Sequence, residues 1–390
     1  GATTVSQLGS GMAAVALAFA VLHIGSAADL GYTFLAREIP MVIFLLAGGV
    51  WADRVSRKLL LVAGDLMMGS AQAVTALLFL THHATVFRVA LLQVAFGLAQ
   101  SFTRPAQAGL IAQAVSAVHL QQANALIDLG GSTVRIIGPA LGGIIVAAAN
   151  PGWALAVDAA SFLVAASLRV RLRYTEGERA ERKNIFHELH EGWGEFKART
   201  WCWTMVVSFG IFQLTFFPSL LVLGPLVAKT DLGGAKTWGI VLACQGAGSV
   251  VGGLFALRLH PARPLLWSSL LMLPTAGLLA LLGVAAPTIV LCLAGFVASL
   301  GITCGDILWF TTFQREVPEH LLARLSSFDW FGSVCLNPIG YALVGPISNS
   351  LGVATTLYVA AAINAGVSLT VASVPAIRSM RAPDAAVATA

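Results

Sequence analysis

The sequence predicts an all-α integral membrane protein with about twelve transmembrane helices in two pseudo-symmetric six-helix bundles. Three observations point there. The 390 residues are 57% hydrophobic and only 11% charged, whereas an average soluble domain carries roughly 25% charged residues; the mean hydropathy is +0.82. The apolar residues form runs of about twenty, the length that crosses a bilayer as a helix, and not the alternating segments of about ten that barrel strands require. The second half of the chain also echoes the first. A water-soluble core cannot absorb this much apolar sequence, because surface grows with the chain and must be wetted. In lipid, backbone groups must be satisfied internally, which leaves helices.

In order along the chain, the apolar runs place spans near 2–23, 30–51, 59–81, 88–108, 122–149, 152–170, 202–228, 237–259, 264–285, 287–312, 325–350 and 353–376. The first lacks the basic flank and small-residue cleavage site of a secretory leader, so it is read as a helix. The longest polar stretch divides the chain. The expected organisation is a six-helix bundle over 1–170, a cytoplasmic amphipathic linker over 171–200, a second six-helix bundle over 201–377 and a cytoplasmic tail over 378–390. Within the linker, Phe186, Leu189, Trp193 and Phe196 share one helical face, with Glu188, Glu191 and Glu195 off it, the pattern of a helix lying on a membrane surface. His187 and His190 share a face too, but no further ligand accompanies them, and no metal is expected.

The formal charge of +5 invites a nucleic-acid reading, but its distribution excludes one. Of 23 Lys and Arg, those at 54, 57, 58, 104, 169, 171, 173, 179, 182, 183, 197, 199, 258, 263, 315, 324, 378 and 381 fall on one side of the alternating loops; Arg88, Lys229 and Lys236 fall on the other. The positive-inside rule therefore puts both termini and the linker in the cytoplasm. Cys202, Cys244, Cys292, Cys304 and Cys335 are scattered through apolar runs without paired spacing, and read as small apolar fillers.

The repeat has two anchors. GGVWADR at 48–54 aligns with GGLFALR at 252–258 (252 − 48 = 204), and RIIGPALGG at 135–143 aligns with NPIGYALVG at 337–345 (337 − 135 = 202). Six spans per half give both halves the same orientation. In that parallel-repeat plan the substrate site lies between the halves near the bilayer midplane.

Between the second and third spans stands Gly49-Val-Trp-Ala-Asp53-Arg54-Val-Ser-Arg57-Lys58. It resembles the signature G-x-L-a-D-R-x-G-R-K of the major facilitator superfamily in spacing and location, with Trp51 and Ser56 where the family favours Leu and Gly. Gly49 permits close helix packing. Asp53 suits a helix N-terminus or a basic partner, and Arg54, Arg57 and Lys58 suit an anionic leaflet. The resemblance implies a conformational latch. Gly138-Pro139-Ala-Leu-Gly142-Gly143 in span 5 resembles the core of a helix-packing motif in drug–proton antiporters of that superfamily, although Val134 replaces an upstream glycine and Gln93, four residues before Gly97, replaces the usual arginine of span 4. The stretches 102–126 and 313–346 resemble the branch that contains the bacterial enterobactin exporter, macrolide-efflux-like proteins and lysophospholipid transporters.

Charges inside spans cost about 2.5–3.5 kcal/mol each on insertion scales and so invite explanation. Asp65 and Asp329 lie near cytoplasmic ends and read as wet or paired; Asp158, which opens DAASFL, reads as a packing element. Asp128 and Arg135 share a helical face about 10 Å apart. A neighbouring cation favours an ionised carboxyl and desolvation opposes it, so alternating exposure there could couple a proton. Glu38, about 12 Å into span 2 by helical rise, and Asp306 complete the coupling candidates. Aromatic walls suit large amphipathic ligands, and Phe212, Phe216, Trp309, Phe313 and Trp330 are the substrate-binding candidates.

Composition and resemblance together imply a secondary active membrane transporter of the major facilitator fold. The leading reading is a proton-coupled exporter of bulky amphipathic small molecules, drugs or siderophores, working by alternating access as a monomer in a bacterial cytoplasmic (inner) membrane. The alternatives are a lysophospholipid or lipid transporter without obligatory proton coupling, and a non-transporting membrane sensor on the same scaffold. No cofactor is expected. The chain has no H-E-x-x-H, G-x-S-x-G or phosphate-binding loop, so neither an enzyme nor direct ATP coupling is expected. The charge bias makes a topological prediction. In a cysteine-free background, a cysteine at His82 should react with an impermeant thiol reagent on intact cells and one at His190 should not; equal labelling would overturn the orientation.

Overall fold

The computed structural model of the chain describes residues 2–54, 56–114, 120–171 and 193–382. The helices are α1 (Ala2–Ile24), α2 (Ala27–Arg54), α3 (Arg57–Leu80), α4 (Val86–Ala114), α5 (Leu120–Ala148), α6 (Pro151–Val170), α7 (Thr200–Pro218), α8 (Gly224–Asp231), α9 (Ala235–Ala256), α10 (Pro264–Leu270), α11 (Leu273–Gly283), α12 (Thr288–Glu316), α13 (Glu319–Val334), α14 (Asn337–Leu351), α15 (Val353–Ser373) and α16 (Pro375–Arg378). Among the described residues, ten helical stretches are long and apolar enough to cross a membrane.

The expected span at 30–51 falls within α2, whose 28 residues are ample to cross a bilayer and carry Asp29, Arg37 and Glu38. The expected span at 325–350 is broken at Cys335 and Leu336, between α13 and α14. Pro338, second in α14, has no N–H to continue the hydrogen-bond ladder, and its ring would clash with the carbonyl four residues earlier. The expected span at 202–228 is also not uniform. Pro218 ends α7, Ser219–Leu223 form a π-helical turn, and Gly224 and Pro225 open α8.

The chain forms two compact units. The first comprises Gly1–Glu181, Leu221–Ala243 and Tyr341–Asn349; the second comprises Arg182–Leu220, Cys244–Gly340 and Ser350–Ala390. In the first, α2 packs on α4, α3 on α6 and α4, and α1 on α5 and α6. In the second, α11 packs on α12 and α15, and α7 on α13 and α15. Helix–helix association in lipid gains little from the hydrophobic effect, so close backbone approach matters. The glycines of span 5 are such places. A Cβ at Gly138 would lie 3.0 Å from the Gly11 Cα, one at Gly142 would lie 2.6 Å from the Met12 carbonyl oxygen, and one at Gly143 would lie 2.5 Å from the Ala235 carbonyl oxygen. Helix α5 is thereby pressed against α1 on one side and α9 on the other.

The core of the second unit is aromatic. Trp309, Phe313, Phe196, Cys202 and Met205 are buried together, with Trp201 and Phe328 against them. Trp193 stacks on Phe196, their ring centres 5.7 Å apart, and Phe196 lies 5.6 Å from Phe328. The C-terminal end of the linker stripe thus packs on α13; Phe186, Leu189, His187 and His190 lie outside the described residues.

One buried ion pair joins α3 to α6. Arg169 Nη1 donates to Asp65 Oδ1 at 2.5 Å, with the side chains 5% and 0% exposed. Removing one partner of such a pair leaves an uncompensated charge, at a cost of about 3–5 kcal/mol, whereas replacing both with apolar groups is often neutral. Arg169→Met should therefore lower the thermal unfolding midpoint in detergent sharply. The double variant Asp65→Leu/Arg169→Met should recover most of the loss; a double variant no better than the single one would contradict this account.

Candidate functional site

The described residues of the first unit enclose a cavity of about 190 Å³ within the membrane-spanning helices. Helix α1 contributes Ser10, Ala13, Ala14 and Leu17; α2 contributes Phe34, Arg37 and Glu38; α3, α4 and α6 contribute Gln72, Phe96 and Asp158. The remaining wall is Leu221 of the π-helical turn, Pro225 of α8, Trp238 and Leu242 of α9, and Tyr341 of α14. The wall therefore combines segments from before and after the 171–200 linker.

The apolar side is closely packed. The rings of Phe34 and Tyr341 are 5.3 Å apart, and both residues are buried. Trp238 is 1% exposed because Gly224 leaves room for its indole; a Cβ there would lie 2.2 Å from the ring. The π-helical turn just before Gly224 sets the register that points Leu221 and Pro225 at the same space, and π-turns often occur where a helix serves a site.

The polar side is built on Phe96 and Gly97. The Arg37 guanidinium lies 4.3 Å from the centre of the Phe96 ring and donates to Gln100 Oε1 at 3.3 Å. Phe96 is held edge-on against Phe162 of α6, 5.7 Å between centres. This cation–π contact places a delocalised charge on an aromatic face. Gly97 makes it possible: a Cβ there would lie 2.0 Å from the Arg37 carbonyl oxygen, so α4 runs directly against the α2 backbone.

Asp158, fully buried, faces this arrangement from α6. Gln72 Nε2 donates to its Oδ2 at 2.7 Å, Ser10 Oγ to its Oδ1 at 3.4 Å, and Ser161 Oγ lies 3.5 Å from the same oxygen. The cavity thus joins aromatic and aliphatic walls to one cationic and two acidic side chains. Its volume is below the roughly 300–1,000 Å³ of small-molecule pockets, so this conformation accommodates only part of a bulky ligand. A second, more open cavity of about 510 Å³ is bordered by His23, His82, Asn150 and Lys229, where the Lys229 ammonium donates to the Leu22 carbonyl at the end of α1.

The family model of the Major Facilitator Superfamily matches residues 1–333. The chain belongs to the Major Facilitator Superfamily. It is 25% identical to the multidrug efflux pump Tap of Mycolicibacterium fortuitum over 91% of this chain and 89% of that protein. It is 28% identical to the enterobactin exporter EntS of Salmonella typhimurium over 78% and 73%. Among solved structures, a variant of the nucleoside transporter NupG superposes with a TM-score of 0.77 at 13% identity, covering 95% of this chain and 97% of that one. A bacterial homologue of the iron transporter ferroportin, in its inward-facing state, gives 0.71 at 14% identity, covering 96% and 97%. These structural likenesses show the fold. The chain is a multi-pass membrane transporter and not an enzyme.

Within this superfamily member the sequence-predicted site residues are dispersed. Glu38 lines the cavity. Arg135 is exposed and donates to Ser132 Oγ, 2.9 Å away on its own helix; the Asp128 side chain lies outside the described residues. Asp306 is half-buried on α12 in the second unit. The side chains of Asp53, Arg54 and Arg57 also lie outside the described residues, while α2 stays helical through Gly49 to Arg54 and Lys58 is half-buried at the start of α3. None of the five aromatic candidates lines the cavity. Trp309 and Phe313 are 2% exposed in the aromatic core, Phe216 is 1% exposed and stacked on Phe212, and Trp330 is 51% exposed. Phe212 borders a narrow cleft of the second unit with Ser208, Ser268 and Asn364.

The residues missed by sequence reading are Ser10, Phe34, Gln72, Trp238 and Tyr341, together with Asp158, read as packing alone. Their available signal was polarity or ring size in the middle of apolar runs. The α2–α4 contact yields a prediction. Gly97→Leu must separate the two helices and should cost at least the ~1–3 kcal/mol of ordinary overpacking. Gly253→Leu, where a Cβ would meet nothing within 4 Å, should be tolerated. Thermal unfolding of the two variants in detergent measures the difference, and equal midpoints would refute the close contact.

Proposed function

We propose that this transporter is a proton-coupled exporter of bulky amphipathic small molecules, working by alternating access in a bacterial inner membrane with both termini cytoplasmic. The observation that carries this reading is the cavity, which sets aromatic and aliphatic walls beside Arg37, Glu38 and Asp158 inside the membrane-spanning helices. Intramembrane ionisable groups are costly and mark substrate or ion pathways. The apolar wall suits the body of an amphipathic molecule. Among the described residues, Glu38 is the coupling candidate that lines the cavity. The relatives, a multidrug efflux pump and an enterobactin exporter, support export and span most of this chain. Gly49, Asp53, Arg54, Arg57 and Lys58 serve as the latch on the cytoplasmic side, and the glycines of α5 as a close-packed helix contact.

The test is transport in proteoliposomes with an imposed pH gradient, screened across cationic drugs, a catecholate siderophore and a lysophospholipid. The expected result is accumulation of at least one drug or siderophore against its gradient, lost when an ionophore collapses the pH difference. Asp53→Asn, which removes a charge at nearly constant volume, should insert normally and transport at least tenfold more slowly. Gradient-independent movement of the lysophospholipid alone would replace this reading with an uncoupled lipid transporter.

A further inference from the structure

We propose that the open cavity of about 510 Å³ at one end of the first unit is a binding site for the phosphate of an anionic amphiphile, the headgroup of a lipid whose chains lie in the bordering leaflet. The site shares no lining residue with the cavity around Asp158, so it does not depend on how that cavity works. Only the choice of leaflet rests on the reading above: with both termini cytoplasmic, it is the extracytoplasmic one.

Position is the first argument. The walls are helix ends. His23 lies in the last turn of α1, Phe79 in that of α3 and Lys229 in that of α8, while Pro151 opens α6. Helices α1, α3 and α6 run 23, 24 and 20 residues, long enough to cross the hydrocarbon core, so their ends stand at headgroup level. The volume falls within the roughly 300–1,000 Å³ of small-molecule sites. The buried rings of Phe19 and Phe79 form an apolar floor, and the exposed side chains of His23, His82 and Lys229, with half-buried Asn150, form a polar rim.

The chemistry of the rim is the second argument. Every polar side chain on it donates, and no lining residue is a carboxylate. Asn150 spends its oxygen on α6, accepting from the Gly152 N–H at 2.8 Å, which leaves its amide N–H groups for the cavity. Lys229 gives one N–H to the Leu22 carbonyl and keeps two. The imidazoles of His23 and His82 each carry at least one N–H in either charge state. The acids closest to these groups in sequence are engaged: Asp29 accepts from the Ser26 N–H and Oγ at 2.8 Å, and Asp231 accepts from the Thr230 hydroxyl. The turn that carries His82 is braced by Arg88, whose Nη1 donates to the His83 carbonyl at 2.9 Å. On this side of the alternating loops the basic residues are Arg88, Lys229 and Lys236, so Lys229 serves the rim and Arg88 its turn. A wall of donors fits a group made of acceptors that carries negative charge. A phosphate is such a group, and the ring floor beneath it suits the apolar chain of a lipid.

The test compares two fluorescent lipids with the same chains, phosphatidylglycerol and diacylglycerol, binding to the full chain in a nonionic detergent. Phosphatidylglycerol should bind about tenfold more tightly or better, and salt should weaken it. Lys229→Gln and His82→Asn should each weaken it about fivefold; Asn suits position 82 because its φ of 58° lies in the left-handed region that Asn tolerates. Ala149→Glu, at an exposed position on the wall, adds a like charge and should weaken it at least as much. Lys236→Gln, on the same side but off the wall, should leave it unchanged. Lys229 also caps α1, so if Lys229→Gln does not fold, His82→Asn and Ala149→Glu decide. Equal affinity for the two lipids overturns the proposal, as does undiminished binding in Ala149→Glu, or a loss in Lys236→Gln equal to that in His82→Asn. Displacement of the lipid by an equal concentration of inorganic phosphate would make free phosphate the ligand and also overturn it. Thiol labelling of a cysteine at His82 on intact cells reads the side separately. If labelling is absent while the lipid binds, the site stands and the orientation falls; if labelling occurs while these binding results fail, the orientation stands and the site falls.

Discussion

A charge among transmembrane helices has no water to fall back on, and the way each one is compensated orders much of what the first unit does. Asp65 and Arg169 meet directly, both buried, at 2.5 Å. Such a pair ties α3 to α6, because separating it leaves two naked charges in a medium of low polarisability. Arg37 is held differently, on the face of Phe96 and by the Gln100 amide. Asp158 receives neutral donors. These are three grades of compensation, from a fixed ion pair to a carboxylate whose charge is only spread out by dipoles. The first is a structural pin. The last ties its helices through hydrogen bonds alone.

Close packing places these charges. Gly97 lets α4 touch the α2 backbone at Arg37, and that approach brings Phe96 under the guanidinium. The glycines of α5 do the same for α1 and α9. These two helices supply Ser10 and Trp238 to the cavity. In lipid, where contact between backbones and side chains replaces hydrophobic drive, small residues position functional groups that are themselves on other helices.

The fold was legible in the sequence because the bilayer imposes a length and a composition on each span. The breaks were less so. Pro338 and the Gly224-Pro225 step are visible as residues, but whether a proline ends a helix, opens one or is absorbed by a π-turn depends on the partners that take up the freed backbone groups. The site was legible only in part. Glu38 stood out as a charge in an apolar run. Asp158 stood out equally and was set aside, since a single sequence does not say which face of α6 meets α1 and α3. The aromatic candidates illustrate the reverse difficulty. Trp309 and Phe313 have the composition of a ligand wall, yet they are 2% exposed in the core of the second unit. The wall rings in the first unit, Phe34, Phe96, Trp238 and Tyr341, come from four helices remote in sequence. No local pattern joins them.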